Sequence, residues 1–429
     1  MLRFGLALPC MLAAAVSLPA ATPLAAQQNP AARTLSGTLP SGAKWVAEIP
    51  ANWNGTLLLW SRGYSPNAGS PEAAGGGMNQ QLLAAGYAIA GSDYGAGGWA
   101  LAEAVPAQRA TIAAFAAAHS KPKRVIAWGY SMGGLVSTAL AEQQKPAIQG
   151  ALAMCASIGG AVGMMNMALD GAYAFRTLVA PDAGIRLVDV DDDRANAKRV
   201  SDALAAAMKT PEGRARIALA GVLGGIPGWT SRDKPEPDAS DYEGQAEEIG
   251  RSFAMGIFLP RTDQERRTGG AFSWNTGVDY RKQLALSGRR DMVAALYRKA
   301  GVDLDADLAR LNGGERIMAK PEAVKYMVRN YTPNAQPRVP LLAVQMIGDG
   351  LTSPSLQRGY AEAAMGRDVK SVYVRGAGHC TFTPEAVMAS IRFLDDRLAR
   401  GKWGAAPADF VPHTPPPMLR PFVRGREGR

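Results

Sequence analysis

Residues 124–134 read RVIAWGYSMGG, and no other run narrows the possible folds of this chain as much. The first five residues form a short apolar stretch of the kind expected of a strand covered on both faces. It ends at Gly129-Tyr130-Ser131-Met132-Gly133, a G-x-S-x-G spacing, and residues 132–143 then carry a helical pattern. A serine at such a sharp strand-to-helix turn sits on strained backbone, and side chains at the flanking positions would collide with neighbouring backbone, so glycines stand there. With 48 glycines in the chain the pentapeptide alone is weak, and the strand before it and the helix after it are what set it apart. This unit demands a parallel sheet whose carboxyl edge presents Ser131.

The flanking chain supplies that sheet. Residues 34–38 and 44–49 alternate as hairpin strands joined at Pro40-Ser41-Gly42. Residues 56–60 (TLLLW), 87–91 (YAIAG) and 148–155 read as further buried strands, with helices expected at 76–85 and 105–118. Strands alternating with helices at this spacing imply right-handed crossovers in a mostly parallel sheet. From residue 157 to 337 the rhythm breaks into a helical, irregular region with Gly-Pro-rich interruptions. It resumes with a strand at 340–347 (PLLAVQMI), a helix at 354–365, a strand at 369–374 and a helix at 384–400. Beyond residue 402 the tail is too Pro-rich for a helix and is expected to drape over the surface.

An activated serine needs a base, and the chain has three histidines. His119 ends the helix leading into the elbow strand, His413 lies in the tail, and His379 follows the last strand in Arg375-Gly376-Ala377-Gly378-His379-Cys380. An orienting acid belongs at a preceding strand end, where Gly348-Asp349-Gly350 closes the run 340–347. Asp368 precedes the last strand and so falls at the wrong edge of the sheet. An oxyanion hole pairs the N–H after the nucleophile, Met132, with one from the loop after TLLLW, Ser61-Arg62-Gly63-Tyr64, of which Tyr64 is the choice. Methionines 164, 165 and 167 suit either an adaptable pocket wall or ordinary helix core. Asp189, Asp191 and Asp193 alternate like calcium ligands, but Arg194 and Val200 stand where an EF-hand requires glycine and glutamate. No HExxH, CxxC or phosphate-binding loop occurs.

The segments SRGY, GSDYGAGG, AWGYSMGG, IGDG and GAGHC, in this order and spacing, resemble an α/β-hydrolase. The closer likeness is to secreted bacterial α/β-hydrolases with one cysteine at the end of the sixth strand and another after the catalytic histidine. The likeness covers residues 35 to about 400 except for the insert. It implies an eight-stranded sheet and, by the order serine, acid, histidine, a triad of Ser131, Asp349 and His379. It also implies a Cys155–Cys380 disulfide pinning the histidine loop, buried free thiols being the alternative. Where the family usually has His-Gly after the third strand, Arg62-Gly63 stands instead. The expected organisation is a hydrolase core at 27–156 and 338–402, a helical cap insert at 157–337 and a basic Pro-rich tail at 403–429. The family is catalytically diverse. Carboxylic-ester hydrolysis through an acyl-enzyme is the first expectation, because an apolar cap suits uncharged acyl groups. A prolyl-peptidase-type amidase is the second. A non-catalytic binding protein on the same scaffold is the alternative from another class. No cofactor is expected, and the partner is a small-molecule or polymeric ester.

The first 26 residues stand apart. Arg3 precedes an Ala- and Leu-rich apolar run, followed by small residues at Ala20, Ala21, Ala25 and Ala26. This reads as a signal peptide and predicts a secreted or periplasmic protein. As an anchor it is too short and is broken by Pro9 and Pro19, and no later stretch is long enough for a membrane span. Lys and Arg outnumber Asp and Glu by 47 to 37, yet no aromatic–basic interleaving or zinc-finger spacing accompanies them, which leaves a solvated basic surface rather than a nucleic-acid site.

Overall fold

The apolar runs assemble into one sheet. The structure, a computed structural model, describes residues 32–425, and the expected leader at 1–26 lies outside the described residues. The strands are β1 (Arg33–Thr38), β2 (Lys44–Ile49), β3 (Thr56–Ser61), β4 (Ala88–Ser92), β5 (Arg124–Tyr130), β6 (Gly150–Met154), β7 (Leu341–Gly348) and β8 (Val369–Ala377). They are ordered β1-β2-β4-β3-β5-β6-β7-β8. β2 runs antiparallel to β1 and β4, and every pairing from β4 through β8 is parallel. Every residue of β3, β4, β6 and β7 is buried, as a strand covered on both faces requires.

The core helices are α1 (Asn79–Ala84), α2 (Leu101–Ala118) and α3 (Met132–Ala141). Next in the chain come α4 (Gly160–Leu178), α5 (Asp193–Ala207), α6 (Pro211–Leu223), α7 (Tyr242–Ile257), α8 (Thr262–Thr268), α9 (Tyr280–Leu286), α10 (Arg290–Ala300), α11 (Leu304–Gly313) and α12 (Pro321–Tyr331). All nine lie between β6 and β7, and α13 (Pro354–Ala363) and α14 (Pro384–Arg400) complete the set. Phe115, Leu135, Leu140 and Tyr360 of α2, α3 and α13 cover one face of the sheet, and Leu82, Val387, Ile391 and Leu394 of α1 and α14 cover the other. The inserted helices also close a core of their own, centred on Tyr173, Phe175, Phe253 and Leu219.

Two local expectations shift, and one between alternatives is decided. The helix expected at 76–85 starts at Asn79 because Gly76 and Gly77 hold positive φ, 64° and 69°, outside the right-handed helical region. Met164, Met165 and Met167 are buried in the core that joins α4 to the sheet, so the ordinary packing reading holds. The tail forms no helix, but it does not drape. Val411 bridges Tyr373 of β8, and Met418 and Leu419 are buried. Met418 fits between Gly163 of α4 and Gly359 of α13, whose added Cβ atoms would meet its side chain at 2.5 and 2.8 Å. Arg420 then donates to Asp170 of α4 at 2.7 Å and to the Trp274 carbonyl at 3.0 Å. A proline-rich segment with few regular hydrogen bonds is held this way by a backbone bridge at Val411 and by side chains seated on α4 and α13. Among the described residues, no helix is long and apolar enough to cross a membrane.

Candidate active site

The parallel register brings the carboxyl ends of the central strands side by side, with Ser61 opposite Gly129 and Tyr130 opposite Met154. Ser131 follows β5 with φ 56° and ψ −122°, a conformation that L-residues rarely hold. Its neighbours explain the glycines. A Cβ on Gly133 would lie 1.9 Å from the Ser61 carbonyl oxygen, and one on Gly129 2.5 Å from the Gly133 backbone. Serine is a favoured helix N-cap, yet Ser131, at the N-cap of α3, makes no capping hydrogen bond with its side chain. Its hydroxyl is therefore not spent on the helix.

Asp349 follows β7 and is fully buried. Its Oδ1 accepts the backbone N–H of Leu351 at 2.9 Å and of Thr352 at 3.0 Å. Its Oδ2 accepts from Gln345 Nε2 at 3.1 Å and lies 2.9 Å from both the Thr352 hydroxyl and His379 Nδ1. Donors surround the carboxylate, as a buried anion requires. His379, in the loop after β8, is partly exposed, and its Nε2 lies 3.4 Å from Cys380 Sγ. The structure thus joins Asp349 to His379 directly. Ser131 shares their edge of the sheet, and no hydrogen bond links its hydroxyl to the imidazole in this structure.

A covalent bridge spans the gap. Cys155, directly after β6, is bonded to Cys380 with Cα atoms 5.4 Å apart. Both cysteines adopt positive φ, 42° and 57°. The Thr352 hydroxyl also lies 2.9 Å from the Cys155 carbonyl, and the Ser157 N–H donates to the Ser131 carbonyl at 3.3 Å. The elbow, the acid loop and the histidine loop are therefore tied to one short segment after β6.

The loop after β3 faces the elbow: a Cβ on Gly63 would lie 3.4 Å from Ser131 Cβ. Arg62 braces this loop, with Nη2 donating to the carbonyls of Asp93 at 3.0 Å and Ala96 at 2.6 Å, and Nη1 to that of Gly63 at 3.2 Å. The guanidinium also lies over the Tyr94 ring at 4.5 Å. A histidine could not make three such donations at once. From below, the buried Gln108 of α2 donates to Trp60 O at 2.5 Å and Ser61 Oγ at 2.8 Å, and accepts from Ser92 Oγ at 3.0 Å. Tyr64 is exposed and its ring packs near Trp99 at 5.9 Å, while Met132 is fully buried at the start of α3. Helix α8 closes the flank, with Asp263 accepting the Trp99 N–H at 2.9 Å and Arg267 pairing with Glu103 at 2.7 Å.

Sequence reasoning did not find Gln345, Thr352 or Gln108. Gln345 carried a readable signal, a lone amide within an otherwise apolar buried strand. Among the described residues no cluster of three or more His, Cys, Asp or Glu could hold a metal ion.

No protein-family model matches the chain. It is similar to the o-phthalyl amidase of Xanthobacter agilis, 28% identical over 411 residues that cover 87% of this chain and 89% of that protein. Among solved structures, Candida antarctica lipase A in its closed state is 13% identical with a TM-score of 0.43, over 89% of this chain and 81% of that one. An acylaminoacyl peptidase of Pyrococcus horikoshii is 10% identical with a TM-score of 0.39, over 87% of this chain, which spans only 42% of the peptidase. The strand order, the antiparallel β2 near the sheet's edge, the elbow after β5 and the helices inserted after β6 together make this chain an α/β-hydrolase in fold.

Proposed function

We propose that the protein is a serine hydrolase that cleaves acyl compounds through an acyl-enzyme, with Ser131 as nucleophile, His379 as base and Asp349 as its orienting acid. The reading rests on one observation above all: the buried Asp349 carboxylate on His379 Nδ1 at 2.9 Å, at the same sheet edge as a strained serine whose hydroxyl leaves its helix uncapped. With Nδ1–H donating to Asp349, the imidazole is held with Nε2 unprotonated, ready to accept the Ser131 proton. Ser131 Oγ then bonds to the acyl carbon and the carbonyl π pair moves onto oxygen. Collapse of this intermediate breaks the bond to the leaving nitrogen or oxygen, which takes the proton from Nε2. Water repeats the sequence and releases the acid.

The oxyanion falls to the N–H groups of Met132 and Tyr64. In a trans peptide the C=O and N–H point in opposite directions. Arg62 holds the Gly63 carbonyl, and so directs the Tyr64 N–H away from the guanidinium. Arg62 is in this reading a positioning residue, standing in for the family's usual histidine.

Amides of carboxylic acids are the first substrates to try. The similarity to an o-phthalyl amidase runs through nearly the whole chain, the inserted helices included. Esters, the first expectation from sequence, present the same carbonyl with a better leaving group and remain the second reading. The apparent leader and the disulfide together support a protein exported to an oxidising compartment. The test is labelling with a fluorescent fluorophosphonate beside Ser131→Ala, followed by turnover of phthalyl amides, p-nitrophenyl esters and aminoacyl p-nitroanilides. Labelling of wild type that disappears in Ser131→Ala is the expected result. A folded wild type that takes no label overturns the triad and brings the binding-protein reading forward.

A further inference from the structure

A cavity of about 270 Å³ lies behind the acid loop, enclosed by the turn after α6, the starts of α10 and α13, and the C-terminal tail. Neither Ser131 nor His379 lines it. Most of its wall is apolar, with Ile226, Trp229, Ile347, Pro354 and Leu419 facing the space. Among the polar groups on the wall, Arg289 stands out. Its Nη1 donates to the Ile226 carbonyl at 2.7 Å, and its Nη2 lies 3.2 Å from Gln245 Oε1 and 3.1 Å from Met292 Sδ. These partners are all neutral, and none of the ion pairs among the described residues includes Arg289.

The electrostatics of the cavity follow from its other groups. Burial pulls the Arg289 guanidinium down to about 10, so it remains charged at neutral pH. Glu236 lines the wall but is engaged by Arg375. Burial lowers the pKa of His413, which keeps the imidazole neutral at pH 7. Arg289 is only partly exposed, and a partly desolvated cation without a counter-ion is costly, a cost that an anion of matching shape relieves. The backbone of Gly228 runs close against this pair: a Cβ there would lie 2.9 Å from Arg289 Nη2 and 2.9 Å from Gln245 Oε1. Two further donors border the space, the Ser353 and Ser355 hydroxyls, 3.0 Å apart at the first turn of α13.

We infer that this cavity is a binding site for a small organic carboxylate, its carboxyl group on Arg289 and its apolar body against Trp229, Ile226 and Leu419. A planar fork facing a carboxylate is the pairing guanidinium geometry favours, and the apolar wall disfavours inorganic anions, which keep their hydration. The site is separate from Ser131 and does not depend on that residue's role. It sits against residues 347 and 353–355, on either side of Asp349, so an occupant would brace the acid loop.

Calorimetric titration of the whole protein with benzoate tests this, with benzamide as the uncharged counterpart. Benzoate should bind and benzamide should not. Arg289→Gln should weaken benzoate at least about tenfold, the consequence of losing a charge-assisted pair. Gly228→Ala, which keeps the charge but presses a methyl against Arg289 Nη2 and shifts the guanidinium, should weaken it as well, which covers the case in which the first variant misfolds. Wild type with Ser131 already blocked by the phosphonate should bind benzoate unchanged. Equal affinity in wild type and both variants, equal binding of benzamide, no binding of benzoate, or loss of binding on blocking Ser131 would each overturn the inference. Only the labelling itself reports on the catalytic proposal, so the two can fail separately.

Discussion

Replacing Asp349 with asparagine separates the electrostatic role of the acid from its place in the fold. The carboxylate receives two backbone N–H groups on Oδ1, and Gln345 Nε2, the Thr352 hydroxyl and His379 Nδ1 surround Oδ2. An asparagine keeps its oxygen on the two backbone donors, because the opposite orientation would set its amide group against both. Its NH2 then occupies the Oδ2 position. There it donates to Thr352, opposes the Gln345 amide, and forces His379 to present Nδ1 as an acceptor, with the proton on Nε2. That tautomer cannot accept a proton from Ser131. A fall in kcat of about 10⁴ is expected, or roughly 5–6 kcal/mol of transition-state stabilisation. The donor–donor clash costs about 1–3 kcal/mol of stability, so the variant should fold. Steady-state kinetics on the best substrate, with near-ultraviolet circular dichroism and Tm as controls, measure both effects. A folded Asp349→Asn variant that keeps kcat within about tenfold of wild type refutes the assignment of the acid.

Further outcomes follow from other contacts. Arg62→Ala should cut kcat by about 10²-fold with little change in KM, as expected of a lost oxyanion donor. A matching rise in KM at constant kcat would instead make Arg62 a substrate-binding group. Gly133→Ala should abolish the folded elbow, since the added methyl meets the backbone oxygen of Ser61 at 1.9 Å, and well-expressed, active protein would contradict the geometry. Reduction of the disulfide, or Cys155→Ser with Cys380→Ser, opens a loop of sequence separation 225. Chain entropy assigns that about 5 kcal/mol, and differential scanning calorimetry should show a lower Tm. Burial pushes the Asp170 carboxyl up to about 6 despite its contact with Arg420. Because this folded value lies above the unfolded one, the associated stability is full below about pH 4 and is lost as pH rises through 6. Asp170→Asn should flatten the denaturation midpoint across that window, and an unchanged slope would show that Asp170 titrates normally.

The parts of the molecule that were legible from sequence are those written locally. RVIAWGYSMGG specifies strand, turn and helix within a few residues. Asp349 and His379 follow strands whose apolar runs are continuous, so their side of the sheet could be read from chain order. Cys155 and Cys380 became a plausible pair once both were assigned to that edge. What escaped depends on contacts between distant segments. Arg62 looked like a simple departure from the family pattern, because the carbonyls it holds belong to residues 93 and 96. Arg289 stands in an unremarkable polar stretch, SGRRDM, and only the folded insert removes it from every carboxylate. The tail misled for a related reason: proline excludes a helix, but says nothing of whether Met418 and Arg420 find sites prepared on α4 and α13.

The Cys155–Cys380 bond has a consequence outside catalysis. Every residue of the helical insertion lies on the chain between these two cysteines. A protease that cuts anywhere in the insertion, including the irregular stretch between α6 and α7, severs the polypeptide without separating its halves. The nicked molecule would run at full mass on a denaturing gel and split into two bands only after a thiol is added. A single cleavage there leaves both halves of the sheet in one covalent body.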